Sequence, residues 1–287
     1  MPNYKIITDS ACDLPKSMIE SLDLAVVPLY LNFRGESRED SVDGNMKEIY
    51  DAYRAGESGS TSAVNPDRWA AAIEPVLADG EDALVIAFSS GLSTTYQSAV
   101  IAAEDLREKY PQRKIAVVDS LAASLGEGLL VWYACQKRSA GMSLEELTAW
   151  VEEYKFKLAH WFTVDDLMYL KRGGRVSATT ALIGTMLKIK PVLHVDDEGH
   201  LISMSKARGR KASIEALAAK LGQDGIPGAN DTIFICHGDC LEDAEYLKKL
   251  VMEKYGVKEV FIGYTGAVIG SHSGPGTLAI FYLGEKR

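Results

Sequence analysis

Cysteine is scarce. Four residues in 287, Cys12, Cys135, Cys236 and Cys240, are too few and too scattered for a disulfide framework. No secretory signal is expected at the charged start Met1-Pro2-Asn3-Tyr4-Lys5, so a reduced, cytoplasmic protein is the expectation. Basic charge is also short: 31 Lys and Arg stand against 40 Asp and Glu, a net charge of −9 with histidine neutral. Such a field repels phosphate backbones, which argues against a nucleic-acid partner. Neither Gly-x-Gly-x-x-Gly nor Gly-x-x-x-x-Gly-Lys-Ser/Thr occurs, so nucleotide binding has no motif support. Gly263 to Leu283 lacks Asp, Glu, Lys and Arg and is long enough to imitate a membrane span. Its glycines, Pro275 and His272 interrupt it, so turns between short buried strands are expected there, and no stable membrane insertion.

What remains is a chain of ordinary globular balance, 47% hydrophobic and 25% charged, long enough for two domains. Strand-like apolar runs recur at Tyr4–Ile7, Leu24–Leu31, Ala83–Phe88, Ile115–Val118, Thr232–Cys236 and Val260–Ile262. Helical patterns lie between them, and two of their starts are marked: Ser143 with Glu146 reads as a capping box, and Asn65-Pro66 places proline at a first helical position. Alternating strand and helix predicts α/β layering with a parallel sheet in an N-terminal domain, residues 1–158. Met186–His194 and Leu201–Ser205, flanking the turn Asp196-Asp197-Glu198-Gly199, predict a partly antiparallel sheet in a second α/β domain, residues 159–287.

Three of the predicted strands run into small hydroxyl and acidic residues: Thr8-Asp9-Ser10, Ser89-Ser90-Gly91-Leu92-Ser93-Thr94-Thr95, and Asp119-Ser120. Ligands of open α/β sheets bind outside the carboxyl ends of strands, so these bursts are candidates for one crevice, although each also suits a helix cap. Thr61-Ser62, before the Asn65-Pro66 start, offers hydroxyls beside free backbone N–H groups, a setting for a carboxylate or phosphate. His272 lies in the glycine-rich turn Gly270 to Thr277, which can hold an imidazole against a pocket. Two basic loops, Lys171-Arg172-Gly173-Gly174-Arg175 and Lys206 to Lys211 with Arg208, can present guanidinium forks to phosphate or carboxylate. Cys236 and Cys240 have a zinc-like spacing but no second pair to complete four ligands, so no metal is expected.

Together these segments resemble the DegV family of bacterial fatty-acid-binding proteins. The resemblance is carried by Thr8 to Pro15, Thr61-Ser62 before Pro66, Ser89 to Ala99, Asp119-Ser120, Tyr169 to Ser177, Leu187 to Pro191 and His272 to Thr277. It implies a two-domain DegV-like α/β fold that holds a long-chain fatty acid, such as palmitate or oleate, between the domains. The C-terminal domain would close over the acyl chain, and the carboxylate would be bound at Thr61, Ser62, Ser93 and His272. The resemblance further implies a non-enzymatic carrier subunit without cofactor. A separate ATP-binding fatty acid kinase subunit would phosphorylate the carboxylate, and Arg172, Arg175 and Arg208 would meet that partner or the phosphate. Thr94 stands where the family usually has glycine, and Ala63-Val64-Asn65 replaces Gln-Pro-Ser. These departures bear on ligand preference.

Two rival readings stay open on the sequence. One is a fatty-acid sensor or storage protein with no kinase. The other is a serine hydrolase with Ser93 in a Gly91-Leu92-Ser93 elbow and the order Ser93, Asp119, His272. Against the latter, Thr95 replaces the second glycine of the elbow.

Overall fold

The computed structural model describes residues 3–176 and 189–287. In chain order its strands are β1 (Tyr4–Asp9), β2 (Ala25–Val27), β3 (Tyr30–Phe33), β4 (Glu36–Glu39), β5 (Ser60–Ser62), β6 (Asp82–Ala87), β7 (Ile115–Asp119), β8 (Leu158–Thr163), β9 (Ile189–Val195), β10 (Leu201–Arg208), β11 (Thr232–His237), β12 (Glu259–Tyr264) and β13 (Leu278–Leu283). The helices are α1 (Lys16–Ser21), α2 (Met46–Arg54), α3 (Pro66–Ala78), α4 (Thr95–Lys109), α5 (Leu125–Ser139), α6 (Leu144–Tyr154), α7 (Met168–Arg172), α8 (Arg210–Asp224), α9 (Leu241–Tyr255) and α10 (Ala267–Ser273).

The buried, unalternating runs near the start form a parallel sheet in the order β2-β1-β6-β7, as strands covered on both faces do. The predicted strand Leu24–Leu31 is in fact two. Pro28 has no N–H to give a ladder, so the chain leaves the parallel sheet after Val27 and enters a three-stranded antiparallel sheet, β4-β3-β5, at Tyr30. The later residues form a six-stranded sheet, β10-β9-β8-β13-β11-β12, antiparallel except for the β11/β12 pair. Of the predicted strand Met186–His194, Met186 to Lys188 lie outside the described residues, as do Ser177 and Leu187 of the segments quoted above. Both predicted helix starts are present: Ser143 and Glu146 cap each other, and Asn65 accepts from the Arg68 N–H ahead of Pro66.

Helix α5 joins the two large sheets. Leu125, Leu129 and Leu130 belong to one apolar cluster with Ile6 and Leu84 of the parallel sheet and Phe162, Phe234 and Phe281 of the mixed sheet. Two glycines allow this approach: a Cβ on Gly126 would lie 2.2 Å from His160 Nε2, and one on Gly128 would lie 2.6 Å from the Cys12 carbonyl. Among the described residues no helix is long and apolar enough to cross a membrane. The uncharged stretch from Gly263 becomes the end of β12, the short helix α10 and the fully buried strand β13.

Candidate ligand-binding site

Between the carboxyl end of β6, the α10 helix and the face of the mixed sheet lies a cavity of about 450 Å³. Its walls are mostly apolar, with Phe88, Leu92, Phe162, Leu170, Val195, Leu201, Val268, Ile269 and Phe281 among the lining residues. Volume and lining suit a small apolar ligand with a few fixed polar contacts.

Part of the wall is polar, and one group of its polar residues is linked by a chain of contacts. Thr61 Oγ1 lies 2.9 Å from His272 Nε2. His272 Nδ1 packs so closely on Gly173 that a Cβ there would lie 2.2 Å away. The Arg175 guanidinium bonds the Gly173 carbonyl and donates twice to the Leu92 carbonyl, at 3.1 and 3.0 Å. Ser93 follows Leu92, its hydroxyl 2.9 Å from Thr95 Oγ1 at the first turn of α4. Thr61, Ser93, Arg175 and His272 all line the cavity.

Electrostatics of this group are set by one cation and one neutral imidazole. Burial, with the nearby Arg175 charge second, lowers the His272 pKa from 6.5 to about 4, so at pH 7 the ring is uncharged. Burial also lowers the Arg175 pKa, yet arginine stays protonated. The group therefore offers a hydroxyl pair, an imidazole and a fixed guanidinium, a donor set suited to a carboxylate.

Several sequence expectations are placed differently. Ser62 is exposed, accepts from Asn32 Nδ2 at 3.1 Å and does not line the cavity. Successive strand residues face opposite ways, so Thr61 inward on β5 puts Ser62 outward. His272 sits in the last turn of α10, a helix where a loop was expected. Arg175, expected to meet the kinase partner or the transferred phosphate, is half-buried and faces the cavity, because Gly174 at φ +73° turns the chain back after α7. Arg172 and Arg208 are exposed, with Arg172 lying over the Tyr169 ring at 4.5 Å.

Only the Ser89–Thr95 burst contributes directly to the cavity wall, through Ser90, Ser93 and Thr94. Thr8, Asp9 and Ser10 are buried and engaged internally: Thr8 donates to Glu127, Asp9 accepts from the Ala11 and Phe88 N–H groups, and Ser10 donates to Asp40. Asp119 Oδ1 accepts from the Ser90 and Leu121 N–H groups. With Ser93 on Thr95, His272 on Thr61 and Asp119 on backbone, the connected bonds of a hydrolytic triad are not made. Cys236 is a buried wall residue whose thiol burial pushes up to about 12. Sequence reasoning missed the Phe88, Phe162 and Phe281 walls, which reach the cavity from three different strands or strand ends.

Residues 3–285 match the profile of a family described as uncharacterised proteins of the DegV family. A DegV domain-containing protein of Clostridium perfringens is 48% identical to this chain, over 100% of it and 99% of the relative. A solved DegV family protein of Thermus thermophilus, described by its fatty acid binding, superposes with a TM-score of 0.88 at 32% identity, over 98% of this chain and 99% of that one. The Streptococcus pneumoniae Fatty Acid Kinase (Fak) B3 protein loaded with linoleic acid shares the fold, with a TM-score of 0.86 at 24% identity over 99% and 100% of the two chains.

Proposed function

The chain belongs to the DegV family, and from that premise we propose that its cavity holds one long-chain fatty acid, the carboxylate at Thr61, Ser93, Arg175 and His272. The observation that carries the reading is a mostly apolar cavity whose wall also holds a linked set of polar groups, Thr61 with His272 and Arg175 beside Ser93. An acyl chain of about fourteen methylenes gains roughly 11 kcal/mol on burial, at ~0.8 kcal/mol each, before ordering costs. The tail supplies affinity. The hydroxyls, imidazole and guanidinium supply orientation, since a buried carboxylate must be hydrogen-bonded.

We further propose that the protein is a carrier subunit that presents the carboxylate to a separate ATP-dependent kinase subunit for acyl phosphate formation. The family resemblance and the fold shared with the pneumococcal kinase B3 protein support this role. On this reading residues 1–158 carry most of the headgroup loops, residues 159–287 cover the acyl chain, and Arg172 and Arg208 stand exposed for the partner. Calorimetric titration with palmitate and oleate tests ligand binding, and saturable one-to-one uptake is expected; no binding of either acid overturns it. ATP-dependent acyl phosphate formation with an added kinase subunit tests the second step. Binding without turnover would favour a sensor or storage protein instead.

A further inference from the structure

We propose that Asp40 is a positioning residue for His272, locking the helix that carries the imidazole to the sheet that carries Thr61; the inference rests on the fatty-acid reading of the cavity. Asp40 follows β4 directly, and its N–H donates to the Leu29 carbonyl at 2.9 Å, just before β3. Strand β3 in turn pairs with β5, placing Leu31 opposite Thr61. The main chain of Asp40 is thus part of the frame that sets Thr61.

Its side chain reaches the other partner. Oδ1 accepts the Val268 N–H at 3.1 Å, while Oδ2 accepts from Ser10 Oγ at 2.9 Å. Ser10 Oγ itself accepts the Leu29 N–H at 3.0 Å, which returns the network to the β3 end. Val268 is four positions before His272, about one turn below it on α10.

A seven-residue helix has little stability of its own, and the residue preceding α10, Gly266, has no side chain to cap it. Its orphan amides and direction are therefore set from outside. Asp40, 5% exposed, supplies an acceptor to one of those amides from inside the protein. Tyr50 and Tyr53 hold the Thr265 and Ala267 carbonyls on the same segment, so losing Asp40 frees the Val268 amide while the carbonyl side stays tethered. The expected result is a small rotation of α10, enough to spoil a 2.9 Å hydrogen bond between Thr61 and His272 without emptying the cavity.

The test compares palmitate, which needs the carboxylate end, with 1-hexadecanol, which fills the same tail space, in wild type, Asp40→Ala and Asp40→Asn. Asp40→Ala should weaken palmitate about tenfold or more while changing hexadecanol less than about twofold. Asp40→Asn keeps the shape and one acceptor oxygen and should weaken palmitate about threefold. The ¹³Cε1 resonance of His272, assigned by its loss in His272→Gln, should shift in the alanine variant and move back toward wild type in the asparagine variant. If the alanine variant does not fold, Asp40→Asn decides alone. Equal weakening of acid and alcohol, or unchanged palmitate affinity and an unmoved resonance, overturns the positioning role. Failure of wild type to bind either compound overturns the fatty-acid reading instead.

Discussion

Thr61 and His272 are 211 positions apart in the chain, yet Oγ1 and Nε2 meet at 2.9 Å on the wall of one apolar cavity. The pair joins an edge of the small antiparallel sheet to the last turn of α10, and Ser93 stands in the same group across the Arg175 guanidinium.

Removing one hydroxyl from this set removes one hydrogen bond to a charged group, worth about 1.5 to 3 kcal/mol. Thr61→Ala and Ser93→Ala should each weaken palmitate by about ten- to a hundredfold, with melting temperatures close to wild type. Titration calorimetry reads the affinity and scanning calorimetry the fold. Wild-type affinity in both variants would remove these residues from the headgroup.

The three arginines should separate into two classes. Arg175→Ala removes the cation held on Leu92 and Gly173 and should weaken palmitate by itself, more than hexadecanol. Arg172→Ala and Arg208→Ala lie at the exposed surface and should leave palmitate binding unchanged while slowing acyl phosphate formation with the kinase subunit. Full turnover in the Arg172 and Arg208 double variant would refute their place at the partner surface.

Much of the fold is legible in the sequence because it rests on local chemistry. Short unalternating apolar runs become the parallel strands, and Ser143 with Glu146 and Asn65 with Pro66 mark helix starts where they occur. The site is only half legible. Thr8-Asp9-Ser10 and Ser89-Ser90 look alike as letters, but the first is consumed by Glu127, Phe88 and Asp40, partners 30 to 119 positions away. Ser62 is lost to strand alternation, and Arg175 is turned onto the cavity wall by a single left-handed glycine. The aromatic walls depend on the packing of separate strands onto α5, which no local pattern contains.

Gly126 offers a test of the apolar wall. A methyl group there meets the His160 ring at 2.2 to 2.4 Å and Phe281 at 2.8 Å, and both side chains line the cavity. Gly126→Ala should cost about 1 to 3 kcal/mol by overpacking, and it should weaken longer acids more than shorter ones as the wall moves inward. A binding series across chain lengths checks this; a uniform effect on all lengths would place the constriction away from the acyl chain.

Buried carboxyls should make stability fall as pH rises from the ordinary carboxylate range through about 7. Burial raises the Asp9 pKa from 3.8 to about 7 and Asp40 to about 6, and lifts Asp13 and Glu127 well above the carboxylate range. The folded state then holds protons that the unfolded chain has lost, and the stability they contribute disappears as pH climbs through the folded values. His160, His194, His237 and His272, lowered by burial, act in the opposite sense but only below about 6.5. Above the histidine range, melting temperature should therefore drop between about pH 6.5 and 7.5, through the Asp9 value, and Asp9→Asn should flatten that drop. A rising or flat wild-type profile would contradict the assignment.

The central claim is that this cavity carries a long-chain fatty acid. Native mass spectrometry of the purified protein, with extraction and mass analysis of whatever is released, tests it most directly. The expected result is a one-to-one adduct with a fatty acid of about fourteen to eighteen carbons, bracketing the tail of about fourteen methylenes taken above. An adduct-free protein that also takes up neither added palmitate nor added oleate would contradict it.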